Sequence, residues 1–315
     1  MAVFEDGTAL GTIGGGAVEY ACMKEAQNGF LHHGSWSHCF SLDSSDQAGL
    51  GMLCGGTAEV SFLYIDAKRP RFACLFSRID EAFQTNTDLW LVTKHAGPYV
   101  DDIGIYDDAH GFRFFERTPE LTDTHRQQLF KGQAVLLKAD GLAWFAQPLT
   151  QKGFAYIFGG GHVAQALVPV IAALSFKPVV FEDREAFCRS ELFPEASRLV
   201  LGDFKAIGAR VDITGRDFVM IMTRGHQSDY DVLTQILPTP AAYIGVIGSR
   251  KKIAATKERL LADGFTTKQL ERIHWPIGLA IRAKTPAEIA VSIAAELILC
   301  RANLRDGIGY GEEDV

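Results

Sequence analysis

The sequence predicts an α/β protein in two parts: a C-terminal parallel sheet with helices on both faces (151–315), preceded by a smaller α+β domain (1–150). Three observations carry this. After residue 153, short apolar runs alternate with helical stretches, the rhythm of a parallel sheet with helical crossovers. The first of those runs leads into a glycine-rich turn that opens an alanine-rich helix. Between the halves, 147–153 (Q-P-L-T-Q-K-G) is polar and bounded by Pro and Gly, as linkers are.

In the first half, strands are expected at 3–4 and 8–13, joined through Glu5-Asp6-Gly7, where Asp-Gly signals a hairpin. A helix follows at 17–29, a strand at 57–65, a helix near 69–84 and a strand at 89–93. Short strands near 103–106, 112–115, 134–138 and 142–146 complete it. In the second half, buried strands are expected at 154–158, 178–181, 198–201, 218–222 and 243–247. Helices are expected from the glycine turn to 174 and at 227–237, 249–263 and 286–302. The last helix has the clearest start, with Thr285 and Glu288 as a capping box and Pro286 where proline is tolerated. Ile289, Ile293 and Leu297 then recur every four residues and give one buried face. Pro169 should bend the helix it lies in, because its ring frees the carbonyl of Gln165.

Composition narrows the function classes. A chain of 315 residues can build two cores, and 47% hydrophobic with 22% charged residues is ordinary for a globular protein. Net charge is −7, pI about 5.7 and mean hydropathy +0.05. The densest basic run is only Arg250-Lys251-Lys252, so nucleic-acid binding is not expected. No apolar stretch is long enough for a bilayer, and Met1-Ala-Val-Phe-Glu-Asp-Gly lacks a secretion leader, so the cytoplasm is the expected compartment. Six cysteines are scattered without a C-x-x-C pair, against a zinc ribbon or a disulfide framework. Nine histidines show no H-E-x-x-H spacing, so no protein-ligated catalytic metal is indicated.

The strongest chemical signal is Gly159-x-Gly161-x-x-Ala164, with His162 inside it, between a predicted strand and a helix. In a Rossmann-like domain Gly159 permits the tight turn and Gly161 lets a diphosphate approach the backbone. Ala164 brings the helix close to the sheet. Asp183, at the end of the second strand, stands where an acid would bind ribose hydroxyls. The bland alternative is that the glycines only shape the turn and that Asp183 is a solvated residue. Beyond the fourth strand, Thr223-Arg224-Gly225-His226 should face the same crevice, Arg224 pairing with phosphate and His226 donating to it or shuttling a proton. An Arg224–Asp229 pair capping a helix would explain the same residues. After the fifth strand, Ser249 is a natural N-cap. Two cations, Arg250 and Lys251, oppose the dipole of that first turn, and an anion would account for them.

In the first half, Gly14-Gly15-Gly16 precedes a helix carrying Glu19. Consecutive glycine amides can cradle an anion, or simply form a flexible hairpin exit. Cys54, in a Leu-Cys-Gly-Gly loop, is either an accessible thiol able to accept sulfur or ligate a soft metal, or a small core residue.

Taken together, G-T-I-G-G-G-A-V-E (11–19), L-C-G-G (53–56), F-G-G-G-H-V-A-Q-A-L (158–167), T-R-G-H-x-x-D (223–229), I-G-V-I-G-S-R-K-K (244–252), P-I-G-L (276–279) and T-P-A-E-I-A-V-S-I-A-A-E (285–296) resemble the XdhC/CoxI family, in order and spacing, over nearly the whole chain. The resemblance implies an accessory factor for molybdenum hydroxylases such as xanthine dehydrogenase. Such a factor binds the molybdenum cofactor (molybdopterin), brings it to a cysteine desulfurase that exchanges an oxo ligand for sulfur, and delivers it to the apo-enzyme. On that reading Cys54 lies nearest the molybdenum, and the C-terminal crevice holds the pterin phosphate or a nucleotide. The family usually has an earlier strand and a G-S-S-P-R-like loop ahead of the segment that starts here at Met1. An exposed sheet edge, and with it a homodimer, is therefore expected. The alternative is an NAD(P)-dependent oxidoreductase, although no Tyr-x-x-x-Lys pair is evident in the Rossmann half. A scaffold with a vestigial nucleotide fold is the third reading.

Overall fold

A computed structural model describes residues 1–42, 56–139, 141–150 and 153–306. The chain divides into two compact units, Met1–Gln151 and Lys152–Val315.

The first unit opens with a hairpin of β1 (Ala2–Val3) and β2 (Ala9–Leu10), turning at Gly7 with positive φ, and this hairpin forms a sheet of its own. Then follow α1 (Gly16–His32), β3 (Trp36–Ser41), β4 (Thr57–Phe62), α2 (Pro70–Thr85), β5 (Leu89–Ala96), β6 (Tyr99–Asp107), β7 (Gly111–Arg113), α3 (Asp123–Leu129), β8 (Val135–Ala139) and β9 (Leu142–Thr150). The strands after the hairpin form one antiparallel sheet in the order β4-β3-β6-β5-β9-β8, with β7 added on β6. Helix α2 buries Leu75 and Ala82 against Leu89 and Ile105, while α3 sets Leu129 against Trp90 and Trp144.

Two elements here escape the sequence reading. Strand β3 alternates Trp36, His38 and Phe40 on one face, with the Trp36 ring stacked on Phe62 of β4 at 4.8 Å. Helix α3 is short, capped by Thr122, whose hydroxyl accepts from the His125 amide. The expected linker is also partly strand, since β9 runs through Pro148 to Thr150. Pro148 fits because β8 pairs with β9 only as far as Ala146, and the register with β5 shifts between Leu89 and Trp90.

The second unit comprises β10 (Ala155–Phe158), α4 (His162–Ala173), β11 (Pro178–Glu182), β12 (Arg198–Leu201), β13 (Phe218–Ile221), α5 (His226–Ile236), β14 (Tyr243–Val246), α6 (Arg250–Ala262), α7 (Thr267–Leu270), β15 (Ile273–His274) and α8 (Pro286–Asp306). Its strands are all parallel, in the order β12-β11-β10-β13-β14-β15. That is the Rossmann order, which reverses direction between β10 and β13. Alternate residues feed opposite layers. Tyr156, Phe158, Val219 and Ile221 pack with Val232 and Leu233 of α5 and Leu260 of α6. Ile157, Val180 and Met220 pack with Leu167 of α4 and Ile293 of α8 on the other face. Helix α4 runs through Pro169 as one segment. The capping box of α8 is present, with Glu288 accepting the Thr285 amide at 2.9 Å and Thr285 accepting the Glu288 amide at 3.2 Å. The short α7 and β15 had no periodicity to announce them.

Candidate functional site

In an open parallel sheet, ligands bind beyond the carboxyl ends of the strands, where the strand order reverses. The turn after β10 lies there, and its three glycines have different reasons to be glycine. Gly159 has φ +112°, and an added Cβ would sit 2.5 Å from the Met222 carbonyl oxygen at the end of β13. At Gly160 a Cβ would meet the Phe187 carbonyl oxygen at 2.5 Å. Gly161 has an ordinary φ of −73°, and a Cβ there would meet nothing within 4 Å. Internal packing does not require that glycine. It is the N-cap of α4 and supplies no side-chain cap, so the first-turn amides of the helix lack a side-chain acceptor. His162 is exposed beside it, and Ala164 is fully buried where α4 meets the sheet.

The acid that reaches this turn is Glu182, not Asp183. Glu182 ends β11, is 1% exposed, and accepts the Gly160 amide at 2.6 Å and Arg184 Nε at 2.7 Å. Burial works to raise its pKa. Hydrogen bonds from Arg184, Asp183 and the Gly160 amide outweigh that and hold it at about 2. Asp183 is 42% exposed, and its shared hydrogen bond with Glu182 pushes its carboxyl upward. Glu182 was invisible as a site residue because spacing alone cannot say which of two adjacent acids turns inward.

Across the switch point, Thr223 is buried and committed. Its amide and hydroxyl both donate to Asp229, at 2.9 and 2.6 Å. Asp229 also holds the ammonium of Lys252, so the expected Arg224–Asp229 pair does not exist. The position is filled from α6 by Lys252, which leaves Arg224 exposed and, among the described residues, without an ion pair. Gly225, the N-cap of α5, repeats the Gly161 situation, with no side-chain cap and open space at its Cβ position. Ser249 does cap α6, accepting the Lys252 amide at 3.3 Å, while Arg250 and Lys251 point outward, exposed. His226 and Ser249 line one cleft of about 480 Å³ between α5 and α6, with Tyr230, Lys251, Lys252 and Arg259. Arg224, Arg250 and the glycine turn do not line it. Lys252, Thr256 and Arg259 recur at helical spacing along α6, a signal the sequence reading passed over.

In the first unit, Gly14, Gly15 and Gly16 all have positive φ, so the backbone itself demands glycine. The anion beside them belongs to the chain, and the Gly14 amide donates to the Thr12 hydroxyl at 3.0 Å. Glu19 accepts the Thr12 hydroxyl at 2.5 Å, the Ile13 amide at 3.0 Å and the Gly15 amide at 3.1 Å. Those hydrogen bonds, the Thr12 hydroxyl foremost, lower its pKa. Cys54 lies outside the described residues.

The motifs at 276–279 and 285–296 turn out to hold one another. Glu296 of α8 accepts the Tyr243 hydroxyl at 2.5 Å, the Gly278 amide at 2.8 Å and His274 Nδ1 at 2.9 Å. Gly278, at φ +92°, would place a Cβ 2.3 Å from Ser292 Oγ. Cys300 lies 3.9 Å from His274 Nε2, completing a Cys–His–Glu array. Burial pushes that thiol up to about 11, so it is neutral and unreactive at pH 7. The array is a structural lock. Glu296→Gln is expected to cost about 1–2 kcal/mol of urea stability by turning an acceptor into a donor facing other donors. A midpoint unchanged from wild type would remove Glu296 from that role.

Two family models match this chain. The XdhC Rossmann domain matches residues 155–297, and the XdhC and CoxI family matches residues 1–35. The chain belongs to the XdhC/CoxI family. Among curated relatives of this XdhC chain, the Escherichia coli (strain K12) protein YqeB, which is named as uncharacterized, is 31% identical over 153 residues. That alignment covers 48% of the chain and 28% of YqeB. A Bacillus subtilis (strain 168) protein, named as a probable xanthine dehydrogenase subunit, is 29% identical over 157 residues, covering 50% of the chain and 46% of the relative. The chain thus spans less than half the length of either. A crystal structure described as a xanthine dehydrogenase from Bacillus halodurans superposes with a TM-score of 0.78 at 24% identity. It covers 99% of this chain and 87% of that one, a likeness of fold. Among the described residues, no helix is long and apolar enough to cross a membrane.

Proposed function

We propose that this XdhC-family chain is an accessory factor for a molybdenum hydroxylase of the xanthine dehydrogenase type. It binds the molybdenum cofactor as cargo, presents it to a cysteine desulfurase for sulfuration and assists its insertion into the apo-enzyme. The observation that carries the reading is Gly161. It caps α4 without a side chain, beside open space, at the switch point of the sheet, which is the arrangement that admits a phosphate group. The exposed guanidinium of Arg224 supplies a countercharge on the facing loop. Cys54 is the proposed sulfur-side contact. The action is that of a maturation factor, not of a turnover enzyme.

The test uses the full chain purified anaerobically, with bound pterin measured after oxidation to its fluorescent form. Wild type should retain pterin. Gly161→Leu, whose side chain enters open space at an ordinary φ, should lose it about tenfold or more while melting normally. Cys54→Ser should weaken retention of the molybdenum. Equal retention by wild type and Gly161→Leu sinks the site.

A second reading, an NAD(P)-dependent oxidoreductase, draws on the strand order itself. It is disfavoured because the inward acid of β11 is already bonded to Arg184 and the Gly160 amide. Saturable NAD(H) binding that Gly161→Leu abolishes, with no pterin bound, would favour it instead.

A further inference from the structure

We infer that the cleft between α5 and α6 is a separate binding site for a nucleoside phosphate. It uses none of the residues of the glycine turn, so it stands apart from the molybdenum reading. The cleft, of about 480 Å³, is lined by His226, Tyr230, Ser249, Lys251, Lys252 and Arg259, and among the described residues no carboxylate lines it. On a chain of net charge −7, that concentration of basic groups runs against the average surface.

The cations are not equivalent. Lys252 is neutralised by the buried Asp229 beneath it, which fixes the floor of the cleft. Lys251 is exposed, makes no ion pair among the described residues and stands on the first turn of α6, where a cation opposes the helix dipole. An anion beside Lys251 and the Ser249 hydroxyl would relieve that opposition. Arg259 lies over the Tyr230 ring, 3.6 Å from its centroid, and is held there by Gln227 at 2.9 Å. Tyr230 is itself anchored by Asp263. One face of the guanidinium is thus covered by an aromatic ring, and the residue remains exposed. A guanidinium held over a ring and still exposed is a stacking surface for a heterocyclic base. The recognition is therefore bipartite, with a phosphate at Lys251 and Ser249 and a base on Arg259. A mononucleotide, free or as half of a dinucleotide, has both parts.

Calorimetric titration of the full chain with AMP, adenosine, inorganic phosphate and NAD⁺ at low salt tests this. AMP should bind saturably, adenosine about tenfold more weakly or worse, and phosphate should compete with AMP. Arg259→Ala should weaken AMP about tenfold and leave phosphate unchanged. Lys251→Glu should weaken both, and Lys251→Arg should restore them. Both sites are exposed, and an unchanged near-UV circular dichroism spectrum confirms that the variants are folded. NAD⁺ affinity that falls with the same variants identifies a dinucleotide as the source, and AMP binding without NAD⁺ binding identifies a mononucleotide. AMP binding that neither substitution alters, or its absence in wild type, overturns the assignment.

Discussion

Gly159→Ala is expected to destabilise the Rossmann unit by about 4 kcal/mol, measured by urea unfolding, whereas Gly161→Ala should stay within about 1 kcal/mol of wild type. The two glycines stand two residues apart in one motif, and the contrast follows from where a methyl group would go. At Gly159 it must adopt φ +112°, a conformation that an L-residue enters only at a cost of roughly 1–2 kcal/mol. It must also push against the Met222 carbonyl oxygen at 2.5 Å and Thr223 Cα at 2.9 Å, backbone atoms of the adjoining strand end that cannot rotate away. Separating β10 from β13 would strain the sheet at its centre, because Phe158 pairs with Ile221 beside this contact. At Gly161 the methyl group would sit in open space at φ −73°. The remaining cost is that of the cap itself, where alanine is less favourable than glycine by up to about 1 kcal/mol. Equal destabilisation by both substitutions would mean that Gly161 is a packing glycine, and the ligand argument built on it would fall.

The same contrast explains how far the sequence could be read. The parallel sheet was visible because its strands are buried on both faces and appear as unbroken apolar runs, such as Ala155–Phe158 and Phe218–Ile221. The helix starts were visible where a side chain does the capping, at Thr285 and Ser249. Strand β3 carries the alternation of a strand in Trp36, His38 and Phe40 and was passed over, because that run is short and its pairing with β4 is long-range. At the site, residue types were readable but their partners were not. Asp229 pairs with a lysine 23 positions away and not with the arginine five positions before it. Where three glycines seemed to offer amides to a ligand, Glu19 takes that of Gly15 and the Thr12 hydroxyl takes that of Gly14. A glycine-rich loop advertises free N–H groups equally well whether the acceptor is a ligand or the chain's own carboxylate, and only coordinates separate the two. The α6 residues lining the cleft were legible in principle, since Lys252, Thr256 and Arg259 follow helical spacing.

Glu182 makes the stability of the Rossmann unit dependent on acid. Its carboxyl is held at about 2 in the folded chain, against 4.5 for an unperturbed glutamate. A depressed folded pKa contributes stability that is present above about pH 4.5 and is lost as pH falls toward 2. Taken alone, a shift of that size corresponds to about 3 kcal/mol. Asp183 offsets part of it, because the hydrogen bond it shares with Glu182 pushes its own carboxyl up and so favours the folded state at low pH. The net contribution of the pair at pH 7 is therefore smaller than that of Glu182 alone. Glu182→Gln should lower urea stability at pH 7 by up to about 3 kcal/mol, since Arg184 then keeps only Asp183, at 3.5 Å, as an ionic partner. Below about pH 3 the variant and wild type should converge, because wild-type Glu182 is then becoming protonated as well. Asp183→Asn should do the reverse of closing that gap: by removing the offsetting group, it should steepen the wild-type loss between pH 4.5 and 3. A difference between Glu182→Gln and wild type that stays constant from pH 7 to pH 3 would show that no ionised carboxylate sits under the glycine turn. The Gly160 amide would then have to find another acceptor.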